Sequence, residues 1–233
     1  MKSNNNKTVL FVFSLSAKKE AERKPLFGTH KKKVSEYFFK LQNQRTLAIA
    51  KKSGVDVVWI DEKKQEGNSF NERFSNAFKS LFKQGYQNVI SIGNDTPNLT
   101  TKHLKKAIHL LLQQQMVFGP SKDGGVYLLG YTKAAFNETV FKNFGWLTNT
   151  LSNEIKDHAI QANISFSALE TLIDIDTKNA ALEYAYANPK TIISVYILLH
   201  FYLIKIKIEQ IDANLPKHIA LFNFPLRGPP SLL

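Results

Sequence analysis

The 233-residue chain contains no cysteine. Disulfides, zinc–cysteine sites and thiol nucleophiles are therefore excluded, and the composition fits a reducing compartment, with the cytoplasm as the default location. Long hydrophobic runs are also missing. The uncharged core of the apolar C-terminal region, residues 191–204, is 14 residues long, short of the roughly 20 that span a bilayer, so no transmembrane span is expected. The apolar run Val9 to Leu15 has seven residues and contains Ser14; it reads as a first strand rather than a signal peptide. Glycine is scarce where it would matter for phosphate binding. None precedes Gly28, so the segment after the first strand lacks the residues that let backbone N–H groups wrap a phosphate.

Acidic residues are outnumbered, 19 against 31 Lys and Arg. The excess is concentrated in residues 1–64, which hold 15 basic and 6 acidic side chains. Such a basic face attracts phosphates, nucleic acid or an anionic membrane, or is simply solvated. The chain shows no helix-turn-helix spacing, zinc ligands or aromatic RNA-binding motif, so nucleic acid is not the expected partner. A small phosphorylated ligand fits better.

Short apolar runs alternate with helical periodicity, the pattern of an α/β layered fold. Strands are predicted over 8–15, 55–60 and 88–93, with two more flanking the SKDGG turn within 116–131. Helices are predicted over 34–54, 70–85 and 100–115, near 133–143 and 148–162, and after residue 177. The phenylalanine stripe of 70–85 reads as a core face. Residues 16–33, polar and punctuated by Pro25 and Gly28, read as a long loop. The chain divides into a domain over 1–188 and an apolar appendage over 189–233. For the appendage a packed helix or homodimer contact is expected ahead of a membrane-surface anchor, with a possible strand at IKIKI (204–208).

The stretch NVISIGNDTP (88–97) places one carboxylate, Asp95, just past the end of an apolar strand. Ligands of open α/β sheets gather at strand carboxyl ends. A carboxylate there suits a divalent cation, Mg²⁺ or Mn²⁺, that in turn holds a diphosphate; it equally suits an Asx-turn or a helix cap. Pro97 restricts Thr96 and helps fix the turn. Asp123-Gly124-Gly125 is either a hairpin turn or a close approach of backbone to ligand. Trp146, taken alone, reads as core.

These segments occur in one order: ERFSNAFKSLFKQG, ISIGNDTPNLT, FGPSKDGG, GWLTN, LIDIDT. Over about residues 70–180, and more loosely over 8–60, the chain resembles a bacterial glycosyltransferase-A-like family of unassigned substrate in the nucleotide-diphospho-sugar transferase superfamily. The resemblance implies a Rossmann-like mixed sheet flanked by helices, a nucleotide or nucleotide-sugar bound beside the first strands, and a divalent metal. It makes Asp95 a metal ligand, with a second ligand from Asp176 or Asp174, whose rival role is a turn and helix cap. It assigns Asp123 to a sugar hydroxyl or to base catalysis. Gly124, Gly125, Trp146 and Thr148 would line the substrate pocket. Arg73 matches a family arginine, as a ligand contact or a structural ion pair. Arg23 and Lys24 loosely match the family's basic loop and would neutralise a diphosphate.

The chain departs from the pattern in the glycine-poor first loop, at Thr96, where cysteine is common, and at Asn98, where aspartate is common. Three functions follow: a metal-dependent glycosyltransferase, a nucleotidyltransferase releasing pyrophosphate, or a catalytically degenerate domain that binds a nucleotide or a protein partner.

Overall fold

The computed structural model describes residues 7–202. Six strands form one mixed sheet: β1 (Thr8–Phe13), β2 (Asp56–Ile60), β3 (Asn88–Ile92), β4 (Met116–Pro120), β5 (Val126–Thr132) and β6 (Phe166–Ala168). Their order is β2-β1-β3-β5-β4-β6. β1 runs parallel to β2 and β3, β4 runs parallel to β6, and β5 is antiparallel to both β3 and β4. The helices are α1 (Ala17–Arg23), α2 (Lys32–Lys51), α3 (Phe70–Lys83), α4 (Thr101–Leu111), α5 (Glu138–Asn143), α6 (Leu151–Gln161), α7 (Lys178–Ala187) and α8 (Ile192–Tyr202).

Both sheet faces are covered, which explains why β1 reads as an unbroken apolar run rather than an alternating one. Val9 and Phe11 pack into a core with Phe74, Phe78 and Phe82 of α3 and Phe141 of α5. Leu10 and Val12 point the other way, into a core with Leu104, Ala107 and Leu111 of α4. A third cluster joins Ala21 of α1, Phe38 and Phe39 of α2, Tyr184 of α7 and Ile197 of α8. Helix α8 falls within residues 189–233, where a packed helix is one of the expectations. It packs through Ile193 and Ile197, and the Tyr196 hydroxyl donates to the Val34 carbonyl at 2.9 Å. Its outer side exposes Ile192, Val195, Leu199 and Tyr202. The IKIKI segment lies outside the described residues.

Residues 16–33 correct the sequence reading. They hold helix α1 and a short 3-10 turn, Thr29–Lys31, rather than one long loop. Ser16 caps α1 by accepting the Lys19 N–H, and the helix stops at Lys24, the residue before Pro25, where the proline ring disfavours helical backbone. Pro25 and Gly28 are punctuation after this helix. The Glu62 carboxylate, 46 residues away, accepts from both the N–H and the hydroxyl of Ser16 at 2.7 Å. That long-range partner has no local signature.

The antiparallel run of β5 decides where the site forms. Its first residues lie beside the last residues of β3, with Leu128 opposite Ile92. The Asp123 turn is therefore delivered to the carboxyl end of β3, next to Asp95.

Candidate functional site

A cleft of about 590 Å³ opens at this end of the sheet. Residues from five separate segments line it: Arg23 and Lys24 after β1, Asp95 after β3, Asp123 and Gly125 before β5, Trp146 and Thr148 before α6, and Asp174 and Asp176 before α7.

The Asp95 loop is shaped by small residues. A Cβ on Gly93 would come within 2.8 Å of Asp95 Oδ1, so glycine leaves room for the carboxylate to fold over the strand end. The Leu99 N–H donates to the Thr96 carbonyl at 3.1 Å, a turn with Pro97 at its second position, where a fixed φ is favourable. Thr100 caps α4 reciprocally with His103. Asp95 therefore leaves helix capping to Thr100.

LIDIDT (172–177) runs along the end of β4. Leu172 pairs with Ser121, and the Lys122 N–H donates to the Leu172 carbonyl at 2.8 Å. The Ile175 N–H then donates to the Asp95 carbonyl at 2.9 Å. This backbone bond draws Asp174 and Asp176 against Asp95, and Thr177 rather than either aspartate caps α7.

Lys24 occupies the centre of this acidic group. Its ammonium donates to Asp95 Oδ2 at 2.9 Å and also bonds Asp176 Oδ1. Burial opposes the charge on Lys24, but Asp95, Asp176 and Glu20 outweigh it and raise its pKa. Burial likewise disfavours the Asp95 carboxylate, and Lys24 overcomes this and holds its pKa below the usual value. Asp176 is pushed up, by burial first and by the Asp95 charge second, with Lys24 opposing.

Asp174 points elsewhere. It accepts hydrogen bonds from the Thr96 and Ser121 hydroxyls. Burial, reinforced by the Asp95 charge, raises its pKa to about 7 against those bonds. The departure at Thr96 acquires a role here, because a hydroxyl is a better donor than a thiol.

Asp123 lies in the cleft, and its Oδ1 accepts the Gly125 N–H at 3.0 Å. The turn is a hairpin as well: Ser121 N–H donates to the Gly125 carbonyl at 2.9 Å. Gly124 is not among the cleft-lining residues. Its φ is 91°, and a Cβ there would meet the Asn149 carbonyl oxygen at 1.8 Å, so its glycine lets two loops touch. Trp146 lines the cleft and is core at once: its indole N–H donates to the Phe141 carbonyl at 2.7 Å, and its ring packs on Phe74. The Thr148 hydroxyl donates to the Gly145 carbonyl at 2.6 Å. Arg23 pairs with buried Glu20 at 3.2 Å. Arg73 lies outside the cleft lining, 3.4 Å from the Asn68 carbonyl.

Sequence reasoning marked Thr96 only as a departure from the family motif, and it missed Ser121 and Glu20, which carry no motif, and Leu147. The last is 74% exposed in the cleft with φ 69°, a conformation uncommon outside glycine.

Residues 33–148 match the family described as "Uncharacterized protein conserved in bacteria (DUF2064)". The family match spans Asp95, the Asp123 turn, Trp146 and Thr148, while Lys24, Asp174 and Asp176 lie outside it. Among curated proteins, none matches the chain. Among solved structures, the chain is similar to a provisionally assigned nucleotide-diphospho-sugar transferase from Desulfovibrio desulfuricans G20. The two are 19% identical, with 86% of this chain and 97% of that chain covered and a TM-score of 0.72. It is less similar to Rv0371c of Mycobacterium tuberculosis H37Rv in complex with manganese, at 11% identity, 80% and 100% coverage and a TM-score of 0.47. A cytidylyltransferase from Leptospira borgpetersenii serovar Hardjo-bovis (strain JB197) gives 13%, 86% and 94%, and 0.42. The fold is that of the nucleotide-diphospho-sugar transferases.

Among the described residues no three His, Cys, Asp or Glu side chains gather to hold a metal ion, and no helix is long and apolar enough to cross a membrane. The donor chemistry still fits a divalent cation. One oxygen of Asp95 and one of Asp176 face a single cationic point, now taken by the Lys24 ammonium. Two carboxylates completed by phosphate oxygens and water are a common set for Mg²⁺ or Mn²⁺.

Proposed function

We propose that the protein is a metal-dependent transferase acting on a nucleotide-diphosphate sugar, working in the cytoplasm. One observation carries this reading: Asp95 and Asp176, 81 positions apart in the chain, turn their oxygens to one point in the cleft at the carboxyl end of β3. These two residues would hold Mg²⁺ or Mn²⁺, which when bound neutralises charge on the leaving diphosphate. Arg23 sits on the same rim and adds positive charge. Asp123 is oriented by the Gly125 N–H and serves as the base that takes a proton from an acceptor hydroxyl. Trp146, Thr148 and Gly125 shape the acceptor side. Nucleotidyl transfer is the weaker reading, because α1 stands where a glycine-rich phosphate loop would be.

A binding-only domain draws support from the Lys24 ion pairs, which already neutralise the acidic centre. Calorimetry with UDP-, GDP-, CDP- and TDP-sugars, and with CTP and GTP, separates these readings when run with Mn²⁺ or EDTA on wild type and Asp95→Asn. Metal-dependent binding of one nucleotide sugar, lost in Asp95→Asn, is expected. Product analysis then distinguishes nucleoside diphosphate from pyrophosphate. Binding indifferent to both EDTA and the substitution would rule out the metal role. A homodimer would form through the exposed side of α8, and sedimentation of wild type against Val195→Glu tests it.

A further inference from the structure

We infer that Lys24 is a resident counter-ion, a positioning residue that holds Asp95 and Asp176 together until a divalent cation takes its place. This rests on the reading that those two aspartates hold the cation. Lys24 bonds one oxygen of each aspartate, the two contacts that a bridging cation would make. Its side chain is only 13% exposed, while that of Asp176 is 42% exposed. The ammonium therefore sits within the group and Asp176 forms its outer side, so an incoming ion meets Asp176 first.

Two cations cannot share this point, since like charges about 4 Å apart repel strongly at the effective dielectric of a protein surface. Metal entry therefore requires Lys24 to leave. The backbone need not follow, because Lys24 is the C-cap of α1, its N–H is bonded to the Glu20 carbonyl at 2.7 Å, and Pro25 comes next. Only the four-carbon stem swings, a motion a flexible lysine makes readily. The Glu20 carboxylate acts on Lys24 electrostatically and lines the same cleft, so the displaced ammonium keeps an anion nearby. Without Lys24, Asp95 and Asp176 would face each other as like charges, which accounts for a lysine buried in a site otherwise suited to a metal.

The test is Mn²⁺ affinity by electron paramagnetic resonance on the full chain, without nucleotide, for wild type, Lys24→Met, Lys24→Arg and Asp95→Asn. Removing the competing charge should tighten Mn²⁺ binding by about tenfold or more, while Lys24→Arg, which keeps it, should stay close to wild type. If Asp95→Asn abolishes binding but Lys24→Met binds no tighter than wild type, the metal site stands and the counter-ion role of Lys24 is overturned. If no chain binds Mn²⁺, both fall. Should Lys24→Met fail to fold, wild-type protein carrying ¹³C-methylated lysines decides. The Lys24 signal should move on saturation with Mg²⁺, and a signal that stays in place overturns the inference.

Discussion

At one end of the cleft Phe70, Phe74 and Trp146 pack ring against ring, with centroids 5.0 to 5.9 Å apart. At the other, Lys24 and three aspartates crowd around a few oxygen atoms. The aromatic end is continuous with the core under α3, so its shape comes from burial and is insensitive to pH or salt. The charged end is held by ion pairs and hydrogen bonds whose strength depends on who else is charged. The first is built for stability and tolerates no loss of volume; the second keeps groups together that would separate in water, a state suited to exchange of ions and protons.

Removing a ring from the aromatic end should have the largest effect. Phe74→Ala deletes a buried side chain in contact with Phe11, Phe13, Phe78, Phe141 and Trp146 and should cost about 3–5 kcal/mol in denaturant unfolding. Next comes the joint between the ends. Gly124→Ala sets a methyl group against the Asn149 backbone at positive φ and should cost about 1–3 kcal/mol, read as a lowered Tm.

At the charged end the sign reverses. The Asp174 carboxyl keeps its proton up to about pH 7 in the folded chain, against an ordinary value of 3.8. Its contribution to stability is thus fully present below about pH 4 and is lost as the pH rises through 7. Asp174→Asn is neutral throughout. Its Tm should exceed that of wild type at pH 8 by about 3–6 °C, and the difference should vanish by pH 4. The smallest stability effect is expected for Leu147→Gly, which relieves a positive φ at an exposed residue. Stability should change by no more than about 0.5 kcal/mol, while the KM for the acceptor, which the proposed function places at the aromatic end, should rise.

The sheet and most helices were legible because their signals are local: a β1 buried on both faces reads as a continuous apolar run, and the α3 stripe repeats at helical spacing. The acidic segments were legible as motifs in order, and the structure brings Asp95, Asp123, Asp174 and Asp176 to one cleft. Helix α1 was not legible, since its seven residues carry no apolar stripe and its nearest breakers lie beyond its end. Nor was the seat of Lys24. A lysine 71 residues from one partner and 152 from the other announces nothing in sequence, and neither do the hydroxyls that share Asp174.

The Ile175 N–H bond to the Asp95 carbonyl has a mechanical meaning beyond bringing acids together. One bond spans two loops, so neither can swing out without breaking it. The amide proton of Ile175 therefore reports whether the two loops part. Its exchange with deuterium should be slow and track opening of the site, and ligands that close the cleft should slow it further while leaving the amides of α6 unchanged.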